Sequence, residues 1–183
     1  MSDTPASIHE FDFSLICEYF SALERQGPGS PAVTVQALGF VDRLTARSHI
    51  ADIGFARGIN EWRKFLKPGG FLAVSEASWF SRERPEVIDR YWRAAYPEID
   101  LVSTKVGQLE QAGYVPVAAF VLPETCWSDH FYAPQTAAQE RFLRTHAGSE
   151  AAAELVATQR HEAELYGKYK QFYGYAFSIG RKM

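Results

Sequence analysis

Residues 60–79, NEWRKFLKPGGFLAVSEASW, decide the fold of this chain. The segment begins inside an apolar-faced helix, which the pattern predicts from about Ala56. The turn LKPGG (66–70) ends that helix, since proline and paired glycines interrupt helical structure. The run FLAV (71–74) that follows is continuously apolar, which is typical of a strand buried on both faces of a parallel sheet. A helix leading into a buried strand predicts an α/β fold.

The flanking sequence continues this alternation of helices and strands. Five further helices are expected: over 11–25, from the cap Ser30-Pro31 to Thr45, from Pro85 onwards, from the cap Ser103 to Gly113, and over 135–169 with a break near Gly148. Three further strands are expected, over 50–53, 114–123 and 172–182. Pro116 indicates that the strand 114–123 is an edge strand or a bulged one, because proline cannot donate to a ladder. Strands separated by helices predict a mostly parallel sheet with right-handed crossovers.

Length and composition fit one globular domain in the cytoplasm. The chain has 183 residues, of which 46% are hydrophobic, and a net charge of −3. Without a basic stripe, a nucleic-acid partner has little support. No segment approaches the roughly 18 apolar residues of a membrane span, and the N-terminus lacks the features of a signal peptide. Cys17 and Cys126 lie in no C-x-x-C pattern, which favours a reducing compartment.

Several segments together resemble the class I S-adenosylmethionine-dependent methyltransferase family, small-molecule type. IADIG (50–54) is similar to the first glycine motif of the family. Residues 60–79 resemble the family's fifth strand with the helix and turn before it, and residues 108–123 resemble its sixth strand with the preceding helix. Residues 173–182 resemble its antiparallel last strand. The resemblance implies a truncated Rossmann-like methyltransferase sheet, mostly parallel with an antiparallel last strand. It implies a single domain, 1–183, with an N-terminal helical cap (1–48) and an incomplete α/β core (49–183).

The chain departs from the family pattern between Gly54 and Phe55. The pattern there carries the rest of the glycine loop, the first core helix and three strand–helix units, roughly 70–75 residues at typical lengths. Among the family's contacts to S-adenosylmethionine, only Asp52 and Gly54 have counterparts. Two alternatives follow: the chain transfers a methyl group from S-adenosylmethionine to a small molecule, or it is a truncated, catalytically inactive homologue that no longer binds the cofactor.

The strand 50–53 also bears on assembly. If it takes the place of the family's fourth strand beside FLAV, the sheet has about four strands and one uncovered edge. An uncovered edge and apolar faces favour pairing with a second copy, so a homodimer is a reasonable hypothesis.

Candidate substrate contacts follow two predicted strands. Glu76 and Trp79 come after FLAV, where ligands of open α/β sheets gather, although a polar strand end would look the same. Trp127, His130 and Tyr132 lie in CWSDHFYAP (126–134), which reads as a loop and which the resemblance places near the substrate mouth. His130 is either a general base or an ordinary half-exposed loop residue.

No residue carries a recognisable catalytic or metal motif. His161 and Glu162 lack the H-E-x-x-H spacing of a zinc helix, because Leu165 holds the position four residues after His161. We therefore expect no metal, and the catalytic residues stay unassigned.

Overall fold

A computed structural model describes residues 12–49 and 58–183. Its helices are α1 (Phe13–Ser21), α2 (Pro31–Leu38), α3 (Gly58–Trp62), α4 (Glu86–Ala95), α5 (Val102–Gln111), α6 (Thr125–Trp127), α7 (Ala133–Thr145) and α8 (Glu150–Tyr169), with a π-helical segment, Ser128–Tyr132, between α6 and α7. Its strands are β1 (Phe71–Trp79), β2 (Asp100–Leu101), β3 (Tyr114–Val121) and β4 (Tyr173–Lys182). The expected strand 50–53 lies outside the described residues.

The four strands of the described part form one sheet in the order β2-β1-β4-β3. β1 pairs with β2 in parallel, whereas β4 pairs antiparallel with both β1 and β3. β1, β2 and β3 therefore run in one direction, and the last strand runs against them. This arrangement confirms the predicted α/β class and the mostly parallel sheet with an antiparallel last strand. The two-residue strand β2 was not expected.

β1 is longer than the sequence suggested. It continues to Trp79 because its register with β4 runs unbroken from Phe71 opposite Arg181 to Trp79 opposite Tyr173. Its buried part is the second half, and Ala73 is exposed. The expectation that FLAV is buried on both faces was therefore wrong, since the packed part of the strand lies beyond it.

Local signals placed several element boundaries correctly. The Ser30 hydroxyl caps α2 by accepting the backbone N–H of Val33 at 3.3 Å, as expected for a serine that precedes a proline. β3 is an edge strand whose register shifts between Pro116 and Ala118, which confirms the expected irregularity. Gly148, with φ of 84°, separates α7 from α8.

Four helix boundaries differed from expectation. α1 ends at Ser21, short of residue 25, and α3 ends at Trp62, before the LKPGG turn that was expected to end it. α2 ends at Leu38, short of Thr45, with Gly39 at its C-terminus, a residue that disfavours continuation of a helix. α5 begins at Val102. The capping position is therefore Leu101, which makes no side-chain hydrogen bond, and Ser103 lies inside the helix and does not have the expected capping role.

The described residues divide into two compact units. The helical unit comprises 12–29, 83–99 and 123–172, and the sheet unit comprises 30–49, 58–82, 100–122 and 173–183. The helical unit has a core in which Tyr19 from α1 packs with Phe142, Leu155 and Val156. A single domain over 1–183 stays a prediction. In the described ranges, no helix is both long enough and apolar enough to cross a membrane.

Candidate functional site

Asp52 and Gly54, the candidate cofactor residues, lie outside the described residues. Their role therefore stays a prediction. The other five candidates fall within the described ranges, two in the sheet unit and three in the helical unit.

Glu76 and Trp79 lie inside β1, so the expectation that they follow the strand was wrong. The Lys105 ammonium on α5 donates to Glu76 Oε2 at 2.7 Å, and each side chain is only 5% exposed. Trp79 is 2% exposed and meets the Tyr173 ring edge-on, with 6.0 Å between ring centroids. A polar residue fits inside this strand because a buried partner on α5 balances its charge. Burial of both side chains favours a packing role.

The segment 126–134 is helical, and the expectation of a loop was wrong. α6 passes into the π-helical segment and then into α7, whose first turn contains Pro134. The backbone N–H of Ala133, the first residue of α7, donates to the Ser128 carbonyl oxygen in the π-helical segment, so the helical path is continuous through this join. Single π-helical turns inside α-helices are frequent at functional sites. His130 in this segment is exposed.

The structure brings Trp127 and Tyr132 together and adds a third ring from α8. The Trp127 and Tyr166 rings stack with centroids 4.4 Å apart and planes 13° apart. The Tyr132 ring lies 5.7 Å from Trp127 and 5.9 Å from Tyr166. Burial, with smaller contributions from the nearby Glu124 and Cys126, raises the pKa of Tyr166 well above its ordinary value. We call Trp127, Tyr132 and Tyr166 the aromatic cluster.

Glu162 adjoins this cluster and is held by two tyrosines. The Tyr132 hydroxyl donates to Glu162 Oε1 at 3.1 Å, and the Tyr91 hydroxyl on α4 donates to Oε2 at 3.4 Å. Burial raises the pKa of Glu162, and the two tyrosine hydrogen bonds oppose the rise. Sequence reasoning considered Glu162 only as a zinc ligand and missed this arrangement. Its i,i+4 spacing to Tyr166, which puts both on one face of α8, was the available signal.

The basic residues near Glu162 in sequence are engaged elsewhere. Arg160 Nε donates to Gln139 Oε1 at 2.9 Å, and Lys170 Nζ pairs with Glu124 at 2.6 Å. Lys168 lies over the Tyr169 ring. Within the part of the chain that the structure describes, Glu162 thus forms no salt bridge with a basic side chain. In the same described residues, no group of three or more His, Cys, Asp or Glu side chains could hold a metal ion.

Solved structures match this arrangement, whereas no family model and no curated protein matches the sequence. A SAM-dependent methyltransferase from Thiobacillus denitrificans in complex with S-adenosyl-L-homocysteine has a TM-score of 0.56 at 21% identity, covering 71% of this chain and 53% of that chain. The chain has the fold of the S-adenosylmethionine-dependent methyltransferases. The resemblance that the sequence indicated is thereby confirmed at the level of the fold.

Two further structures support the same fold. A SAM-dependent methyltransferase from Geobacter sulfurreducens, also in complex with S-adenosyl-L-homocysteine, has a TM-score of 0.52 at 20% identity, covering 64% of this chain and 48% of that chain. YjhP from E. coli has a TM-score of 0.50 at 22% identity, covering 64% of this chain and 52% of that chain. The chain spans about half the length of these three structures.

Proposed function

We propose that the chain acts in S-adenosylmethionine-dependent methyl transfer to a small molecule. The observation that carries the proposal is the placement of β4, reversed between β1 and β3, in a sheet that matches a methyltransferase bound to S-adenosyl-L-homocysteine. S-adenosylmethionine supplies the methyl carbon when bound. The residues of the protein must orient the acceptor in line with that carbon and exclude water.

Under this proposal, Asp52 and Gly54 hold the amino-acid end of S-adenosylmethionine. The described sheet offers a place for the strand that would carry them. β2 pairs with β1 only at Ser78 and Trp79, so the same edge from Phe71 to Ala77 has no neighbouring strand among the described residues. A parallel strand along that edge would run in the same direction as β1 and carry Asp52 at its own carboxyl end, which is the end at which strands of open α/β sheets hold ligand-binding residues.

The homodimer hypothesis concerns the same edge of β1. If residues 50–53 do not pair there, the edge is open to a strand from a second copy. Sedimentation tests this part of the proposal, because a monomer across micromolar concentrations would contradict it. The absence of a nucleic-acid partner and a cytoplasmic location stay predictions.

Calorimetric titration with S-adenosylhomocysteine tests the function. We expect saturable binding by the wild type and binding about ten- to a hundredfold weaker by Asp52→Asn, because a hydrogen bond to a charged group contributes about 1.5–3 kcal/mol. Asp42→Asn is the matched control: it removes the same charge ten residues earlier, at an exposed position, and should bind as the wild type does.

Absence of heat from folded wild-type protein at millimolar ligand would contradict the proposal. It would favour the alternative of a truncated homologue that no longer binds the cofactor. Equal weakening by Asp52→Asn and Asp42→Asn would instead contradict the role of Asp52, because the effect would then follow net charge and not position.

A further inference from the structure

We propose that Glu162 and Tyr91, together with the aromatic cluster, form a binding site for a small organic ammonium group. The cluster supplies ring faces and a hydroxyl, and Glu162 supplies the opposing charge. All of these residues belong to the helical unit, so the site needs nothing from the sheet unit. Identifying the compound as the methyl acceptor rests on the proposed function, and the accepting atom would then be one other than the ammonium nitrogen, which has no lone pair.

The first argument is that the Glu162 carboxylate can accept more hydrogen bonds than the two it receives from tyrosines. Each of its oxygens accepts one tyrosine hydrogen bond, whereas an ionised carboxylate offers about four acceptor positions in total. About two positions therefore remain for an external donor. An ammonium group donates hydrogen bonds and supplies the missing positive charge at once.

The second argument is the absence of an internal counter-ion. A carboxylate withdrawn from water is costly unless a cation pairs with it. Arg160 and Lys170 on the same stretch of chain could have supplied one, but they bind Gln139 and Glu124 instead. A cationic ligand would complete the charge balance that the described residues of the helical unit leave open.

The third argument is the aromatic surroundings. Cations are attracted to the faces of tryptophan and tyrosine rings within about 6 Å of the ring centroid, and aromatic sites recognise quaternary ammonium ligands. Trp127 and Tyr166 are buried and stacked on each other, whereas Tyr132, Tyr91 and Glu162 are half-buried. A ligand would therefore approach from the side of the two half-buried tyrosines, with Trp127 and Tyr166 as the wall behind them.

The competing explanation is a purely structural one, in which Glu162 only accepts the two tyrosine hydrogen bonds. Glutamine can serve that purpose through its carbonyl oxygen without a charge. The two explanations therefore differ in what Glu162→Gln does to cation binding, and not in what it does to folding.

The test is a titration with tert-butylammonium chloride, which carries both the positive charge and N–H donors, without S-adenosylmethionine and at constant total chloride. tert-Butanol, a neutral molecule of similar size, is the control ligand. We expect saturable binding of tert-butylammonium to the wild type, at least tenfold weaker binding of tert-butanol, and at least tenfold weaker binding of tert-butylammonium to Glu162→Gln. Glu164→Gln is the matched variant, because it removes the same charge at an exposed position two residues away on α8 and should bind within twofold of the wild type.

The site would be overturned by a lack of saturable tert-butylammonium binding to the wild type or by equal binding of tert-butanol. It would also be overturned by wild-type affinity in a folded Glu162→Gln, or by equal losses of affinity in Glu162→Gln and Glu164→Gln. The comparison of the two ligands on the wild type decides the question even if a variant fails to fold. Titration with S-adenosylhomocysteine on the same samples separates the two proposals, since cation binding without cofactor binding contradicts only the proposed function, and the reverse contradicts only this site.

Discussion

Replacement of Lys105 by methionine tests the packing of α5 against β1. Lys105 Nζ lies 2.7 Å from Glu76 Oε2, and both side chains are 5% exposed. Removing one partner of a buried ion pair leaves an uncompensated charge and costs about 3–5 kcal/mol. We therefore expect Lys105→Met to lower the free energy of unfolding by about 3–5 kcal/mol, measured by urea denaturation with far-ultraviolet circular dichroism.

The control is an exposed pair with the same geometry. Lys64 Nζ also lies 2.7 Å from a carboxylate oxygen, that of Glu61, but these side chains are 66% and 65% exposed. Exposed pairs contribute about 0–1 kcal/mol, so Lys64→Met should change the free energy of unfolding by less than about 1 kcal/mol. The double variant Glu76→Leu/Lys105→Met should recover most of the loss, because it leaves no buried charge. Equal effects of Lys105→Met and Lys64→Met would refute the burial of the Glu76–Lys105 pair.

Three further predictions concern single positions. Gly113→Ala should lower the free energy of unfolding by about 1–2 kcal/mol, because φ is 83° there and an added Cβ would lie 3.0 Å from Arg63 Nε. Gly107→Ala, inside α5 with no atom within 4 Å of the added Cβ, should raise the free energy of unfolding by about 0.5–1 kcal/mol. Urea denaturation measures both, and effects of the same sign would contradict this account. Ser149→Ala should lower it by about 0.5–2 kcal/mol, because the hydroxyl accepts a backbone N–H at the start of α8 at 3.2 Å; an unchanged thermal melt would argue against the cap. Burial raises the pKa of Glu162, so the folded protein binds the Glu162 proton more tightly than the unfolded chain does. The wild type should therefore lose stability as the pH rises from the ordinary pKa of glutamate towards the raised pKa, and Glu162→Gln should lack that loss. The same dependence of melting temperature on pH in both proteins would contradict this prediction.

Much of the fold could be predicted because short-range chemistry fixes it. Proline at position 116 cannot donate to a sheet ladder, and it does mark the irregular edge strand β3. Gly113 and Gly148 have the positive φ expected of a glycine after a helix. Ser30 before Pro31 is a local capping pattern that needs no tertiary contact.

The missed features depend on contacts between distant residues. Glu76 reads as a strand end because a charge in a buried strand is improbable until Lys105, 29 residues later, is placed beside it. β2 has only two residues and exists through pairing with β1. Such short pairings leave no periodic pattern in the sequence.

The Glu162 arrangement shows the same limit for a site. Its tyrosines come from α4 and from the π-helical segment, 71 and 30 residues away in the chain. Only the spacing of Glu162 and Tyr166 on α8 was visible beforehand. The segment 126–134 looked like a loop because polar residues are common in loops. In the structure, Ser128, Asp129 and His130 are exposed on helical turns instead.

The melting temperature of the chain in S-adenosylhomocysteine tests the central claim most directly. A ligand that binds only the folded state stabilises it by about 2.7 kcal/mol at a hundred times its dissociation constant. The account predicts one cooperative melt whose midpoint rises steadily with ligand concentration. A cooperative melt whose midpoint is unchanged up to millimolar ligand would contradict it, because a folded protein would then have the methyltransferase fold without the cofactor site.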